Sequence, residues 1–248
     1  MSRVGRFRKG RLAVGPIELR WELRRREVSA SRGSRSTIFS TPPYSLHIGP
    51  GPQWQKPSPR WLTVDVDPLR ADIVVNFNAF EGFPLDDGTV DTIYASHVFE
   101  HISVYRCPRV FADCYRVLIP KGVIRIIVPD VATSIEQYVA RNDRFPLFER
   151  RRRRAADAYD ESYTLFECMK EDFLSRSSQQ DLLGEQLAHQ NAWDFESLQA
   201  ALVRAGFRSE TVHRSAFRAS TCAAFDFEGT YASEANEDYR SLYVEASK

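Results

Sequence analysis

The sequence holds no apolar run approaching the roughly 20 residues that a membrane-spanning helix needs. No apolar stretch follows the basic first residues, so no secretory leader is expected and the chain reads as cytoplasmic. Cysteine is scarce. Cys107, Cys114, Cys168 and Cys222 form no C-x-x-C pair, which argues against a structural zinc and a dense disulfide framework and fits reduced thiols. There is no internal repeat, so solenoids and propellers are excluded. What is present is ordinary in amount: 248 residues, 43% hydrophobic and 27% charged, enough for one large α/β domain with room for an extension.

The formal net charge of +1 hides a split. Residues 1–40 carry eleven Lys/Arg against three Asp/Glu, and the remaining residues carry a net charge of −7. Such a basic extension either meets an anionic surface (phosphates, a membrane surface, an acidic partner) or docks on its own acidic body. Residues 1–14 show no clear periodicity. From Pro16 to Glu27 a helix is expected, with Ile17 and Trp21 on one stripe and Leu19 and Leu23 on the next. A Ser/Arg/Pro linker at 29–43 leads to the main domain, expected over residues 41–248.

From residue 44 onward strands and helices alternate, which predicts a mostly parallel sheet with helices on both faces. Strands are expected at 44–48, 61–65, 72–76, 90–95, 123–128, 208–213 and 239–246. A helix is expected from Pro108 to Leu118, another capped by Thr133 or Ser134, and a third from Phe195 to Ala205 closed by Gly206. Residues 141–190 read as a polar, helix-prone insertion. It contains a run of five arginines, Arg150 to Arg154, taken as a solvated helix face paired with the acids at 157, 160 and 161.

Two glycines, Gly49 and Gly51, end the first of these strands, and Asp65 ends the second. Glycine at such a turn lets backbone N–H groups approach a ligand closely. An acid closing the next strand accepts hydrogen bonds from ribose hydroxyls. The third glycine of the nicotinamide fingerprint is missing, since Gln53 and Trp54 stand where it would be.

The wider pattern resembles the class I S-adenosylmethionine-dependent methyltransferases, most closely the small bacterial type associated with glycan and small-molecule modification. The segments that carry the resemblance run in the family's order: Leu46-His-Ile-Gly-Pro-Gly51, Val64-Asp-Val-Asp-Pro68, Phe83-Pro-Leu-Asp-Asp-Gly-Thr-Val-Asp91, Ser96-His-Val-Phe-Glu-His101 and Tyr115-Arg-Val-Leu-Ile-Pro-Lys-Gly122, followed by His189 to Leu198 and the last strand. The resemblance implies a Rossmann-like, mostly parallel seven-stranded sheet and S-adenosylmethionine as cofactor. It implies that His47, Gly49, Pro50, Gly51, Asp65, Asn78 and Ser96 lie around that cofactor. Asn78 falls near the family's adenine-binding Asp and keeps an acceptor for the amine. His47 departs from the family, which prefers an acid there near the methionine ammonium. It reads equally as a satisfied strand histidine, and the departure leaves room for a chain that keeps the fold without the reaction.

Methyl transfer needs an acceptor held in line with the sulfonium carbon, exclusion of water and, for a hydroxyl acceptor, removal of a proton. His97, Glu100 and His101 follow the fourth strand of the domain, at the sheet edge where ligands of such folds gather. Either histidine is a candidate base, and His189 is a candidate to cover the acceptor. The alternative is that Glu100 and His101 cap the following helix. His97-x-x-Glu100-His101 also resembles a variant of the E-x-x-E-H metal sites of some methyltransferases. The first acid is replaced and no further ligand is identifiable, so no metal is expected. The Asp/Asn-Pro-Pro-Tyr run of amino-methylating nucleic-acid enzymes is absent, which favours an oxygen acceptor. The expectation is methyl transfer to a hydroxyl of a saccharide or other small molecule, without a nucleic-acid partner. A non-catalytic domain of the same fold and an RNA methyltransferase are the alternatives.

Overall fold

The computed structural model describes residues 8–14, 17–23, 41–51, 54–174, 188–225 and 238–248. The chain divides into two units, Met1–Ile38 and Phe39–Lys248. In the first unit β1 (Arg8–Val14) and β2 (Ile17–Leu23) pair antiparallel, from Val14 opposite Ile17 to Arg8 opposite Leu23. This corrects the expected helix. Ile17, Leu19, Trp21 and Leu23 alternate with Glu18, Arg20 and Glu22, so the period is two. A spacing of four satisfies a strand as well as a helix.

The second unit is built on a seven-stranded sheet. Its strands are β3 (Tyr44–Ile48), β4 (Trp61–Asp65), β5 (Ile73–Val74), β6 (Val90–Ser96), β7 (Leu118–Pro129), β8 (Val212–Arg214) and β9 (Ser241–Ser247). In space their order is β5-β4-β3-β6-β7-β9-β8. All pair parallel except β9, which runs antiparallel to both β7 and β8. This is the mostly parallel sheet that the alternating pattern predicts, in the Rossmann-like, seven-stranded form that the resemblance implies. The third strand is shorter than expected, and residues 209–211 form a 3-10 turn ahead of β8.

Strand alternation sorts the core into two faces. Leu46, Ile48, Leu62, Val64, Ile93, Ile126 and Val244 point to one face. There they meet α1 (Cys107–Val117) and a later helix through Val110, Phe111, Cys114, Leu198 and Leu202. Trp61, Tyr94, Ile127 and Tyr243 point to the other and pack with Trp54, Phe217 and Phe225. The insertion supplies α3 (Pro146–Tyr159) and α4 (Leu165–Lys170), whose Leu147, Phe148 and Cys168 form a separate apolar cluster with Phe145. Before them, α2 (Val131–Val139) is capped by Asp130, which accepts from the Thr133 N–H (3.2 Å), so the cap lies three residues upstream of Thr133. The later helix, α5 (Phe195–Ala205), begins at an Asp194–Ser197 capping box and ends at Gly206, φ +117°.

Three of the five arginines have partners other than those expected. Arg151 is buried against Asp172 and Glu171, Arg154 meets Glu171, and Arg152 meets Asp143. The run is partly an internal ion-pair network rather than a wholly solvated face. No helix among the described residues is long and apolar enough to cross a membrane.

Candidate active site

Reversal of the strand order at β3 creates the site. β4 lies on one side of it and β6 on the other, so their following loops diverge and leave a crevice at the carboxyl ends of the strands. That crevice is an open cleft of ≈ 630 Å³, and it contains Gly49, Gly51, Asp65, Asn78, His97 and His101. Asp67, Arg70, Asn76 and Phe77 line it too, and the sequence reading missed them. The tight run after β4 was the available signal for the first two. Asn76 caps the short 3-10 turn Phe77–Ala79 by accepting from the Asn78 N–H (3.0 Å), which sets the floor beside Asn78.

Gly49 and Gly51 both adopt left-handed backbone, φ +65° and +68°. Their surroundings differ. A β-carbon on Gly49 would lie 2.4 Å from Val98 Cγ2, whereas one on Gly51 would meet nothing within 4 Å. The first glycine is required by packing, and the second keeps the cleft open. Asp65 accepts from the Asp67 N–H through Oδ1 (3.0 Å), which leaves Oδ2 for a ligand.

Pro50 connects the two glycines, and Ser96 ends β6 in register with Ile127; neither lines the cleft. His47 does not line it either. Its place on β3 turns it to the opposite face from Leu46 and Ile48, edge-on to Trp54 (4.5 Å between centroids) and Tyr94 (5.0 Å). Burial there pushes its pKa down to about 3, so the ring is neutral.

Beyond the glycine side the chain leaves β6 through His97, a non-glycine residue at φ +54°, and enters the 3-10 turn Phe99–His101. Glu100 is 1% exposed. Its carbonyl accepts from the N–H groups of Gln190 (2.7 Å) and Asn191 (3.0 Å), and Trp193 Nε1 donates to the Phe99 carbonyl (3.4 Å). These bonds fasten the end of the insertion onto the turn, and the His101 and His189 rings come edge to face at 5.0 Å.

Each polar group of this cluster is oriented. His97 Nδ1 donates to Glu100 Oε1 (2.9 Å), and its Nε2 hydrogen-bonds with the Ser241 hydroxyl (2.9 Å). His101 Nδ1 donates to the Ala188 carbonyl (3.3 Å), and His189 Nδ1 to the Asp172 carbonyl (2.8 Å). Burial opposes ionisation of Glu100, yet His97 and then His101 and His189 outweigh it and hold the carboxyl below its usual range. Burial lowers the His189 pKa, with only partial relief from Glu100. All four candidate catalytic residues thus converge, and His97 bridges the cleft to a smaller cavity of ≈ 80 Å³ where His189 meets Arg150, Arg151 and Arg154.

Residues 58–126 match the methyltransferase-domain family, just over a quarter of the chain. No curated protein matches the sequence. Among solved structures, an S-adenosylmethionine-dependent methyltransferase from Archaeoglobus fulgidus is 14% identical, with 85% of this chain and 88% of that one covered and a TM-score of 0.45. One from Mesorhizobium loti is 13% identical, covering 83% and 90% with a TM-score of 0.42. Phosphoethanolamine N-methyltransferase 2 of Haemonchus contortus, in complex with S-adenosyl-L-methionine, is 12% identical, covering 86% and 50% with a TM-score of 0.39.

Proposed function

We propose that the protein transfers a methyl group from S-adenosylmethionine to a hydroxyl of a small molecule, a saccharide being the leading acceptor class. The observation that carries this reading is a coincidence of place. The stretch matching the methyltransferase-domain family runs from before β4 into β7, and it contains the part of the open cleft built from Asp65, Asn78, His97 and His101.

The cleft suits the cofactor. The Gly51 backbone is bare toward open space, where a ligand can approach it. Asp65 has a carboxylate oxygen to accept from ribose hydroxyls, and Asn78 stands beside it for the adenine amine. Bound there, S-adenosylmethionine supplies an electrophilic methyl group on sulfur. The chain's own contribution is to hold the acceptor in line at the His97–His101 end and to assist loss of its proton. Glu100, His101 and His189 form the activating group, and His97 orients Glu100 through its Nδ1 proton.

Calorimetric titration with S-adenosylmethionine and with its demethylated product tests the cofactor assignment. Both should bind, and Asp65→Ala should weaken binding by about 1.5–3 kcal/mol, the scale of a hydrogen bond to a charged group. Absence of binding at millimolar concentration would leave a non-catalytic domain of the same fold. Once an acceptor is in hand, His101→Ala should lower turnover by about 100-fold with cofactor affinity little changed.

A further inference from the structure

From the geometry of Glu100, His101 and His189 we infer a divalent transition-metal site at the acceptor end of the cleft. One ligand atom from each of the three lies within 4.8 Å of the others. Two come from the turn after β6 and the third from 88 residues later, so the site exists only in the folded chain.

The hydrogen bonds around the cluster prepare these atoms for a cation. His101 and His189 each give the Nδ1 proton to a backbone carbonyl, of Ala188 and of Asp172. A carbonyl cannot donate, so both rings carry hydrogen on Nδ1, and in the neutral form the lone pair is on Nε2. Donation of the second ring N–H to a carbonyl is the way ligating imidazoles are oriented. Glu100 is held likewise: His97 donates to Oε1, while Oε2 is buried with no hydrogen-bond partner. A carboxylate buried in this way demands positive charge. A proton on His97 serves Oε1 alone, and His101 Nε2 lies 3.9 Å from that same oxygen, beyond hydrogen-bond reach, so Oε2 stays without a partner. An ion between the three atoms satisfies all of them. Tetrahedral coordination sets ligands about 3.4 Å apart, so atoms spread over as much as 4.8 Å close in by up to about 1.4 Å.

Two imidazoles and one carboxylate select zinc, cobalt, manganese or iron in the divalent state over magnesium or calcium, which prefer oxygen. Three protein ligands leave coordination positions open, and His101 lines the cleft, so a substrate oxygen can reach the ion. The ion binds that oxygen and lowers the pKa of its hydroxyl. Binding of the ion stands on the three side chains alone; its part in acceptor activation rests on the methyl-transfer reading.

The test uses the full chain, stripped with chelator and titrated with Co²⁺. The expected result is one Co²⁺ per chain at micromolar concentration, with visible absorption that Zn²⁺ displaces stoichiometrically. Glu100→Gln and His189→Ala should each weaken Co²⁺ binding at least 10-fold, while circular dichroism confirms that they fold. Folded wild-type protein without stoichiometric uptake overturns the site, as do folded variants that bind Co²⁺ like the wild type. Should either variant fail to fold, metal content and the cobalt spectrum of the wild type decide alone. Parallel titration with S-adenosylmethionine keeps the two readings apart: cobalt uptake without cofactor binding overturns only the methyl-transfer reading, and the reverse overturns only the ion.

Discussion

At the scale of single residues, the two glycines after β3 make a matched experiment. Both sit at left-handed φ, where a β-carbon costs about 1–2 kcal/mol. Gly49→Ala adds a clash with Val98, a side chain wedged between the turn and the core, and should lower the melting temperature by more than Gly51→Ala does. Gly51→Ala meets no neighbour, so its fold should lose little beyond the backbone strain. Its methyl group instead enters the cleft proposed for the cofactor, and cofactor affinity should drop at least 10-fold. Melts and calorimetry on the same two proteins check both statements, and normal affinity in Gly51→Ala would remove that turn from the binding site. The glycines were legible in the sequence because a bare turn between strands is a local requirement. The placement of His47 was also legible, though unused: strand alternation alone sets it opposite Leu46 and Ile48.

At the scale of elements, β3, β4, β6 and α5 could be read because each carries its own signal. These are short apolar runs in the strands, and in α5 the closing Gly206. β2 was misread where two periods share one spacing. The insertion was legible as helical but not in its pairing, since Arg151 meets an acid 21 residues on that no local rule selects. Arg125 is a similar case on β7. Fully buried, it donates to Glu245 on β9 (2.6 Å), to the Ser215 hydroxyl (2.9 Å) and to the carbonyls of Ala216 and Ala219 (both 2.8 Å). It ties the loop after β8 to the sheet. Arg125→Met leaves a buried carboxylate and orphaned carbonyls, which should cost about 3–5 kcal/mol in urea unfolding. Adding Glu245→Gln should restore part of that loss. A single variant within about 1 kcal/mol of the wild type would show that water replaces the guanidinium there.

At the scale of the whole molecule, the sheet order puts the cleft at the switch point beside β3, and alternating strands and helices made that much legible. The approach of His189 to Glu100 and His101 was not, because backbone bonds from Gln190 and Asn191 to the Glu100 carbonyl create it only after folding. The same burial that closes the core makes stability sensitive to acid. In the native state burial holds the His47 pKa near 3, whereas in the unfolded chain it takes its ordinary value of 6.5. Between those values the unfolded chain binds the extra proton, so stability rises with pH and is lost as pH falls from about 6.5 toward 3. For one fully shifted group the slope approaches about 1.4 kcal/mol per pH unit. The Asp72 carboxyl behaves differently. Burial works against its ionisation, but hydrogen bonds from Lys56 and Thr63 prevail and lower its pKa, so its contribution fades only below the usual carboxylate range of about 3.8. The His47 window therefore opens first on acidification. His47→Phe keeps a ring between Trp54 and Tyr94 and removes the titration. Urea unfolding of both proteins from pH 7.5 to 4.5 should show the wild type losing stability faster than the variant below pH 6.5. Parallel curves would mean that His47 is solvated enough to take up its proton in the folded state.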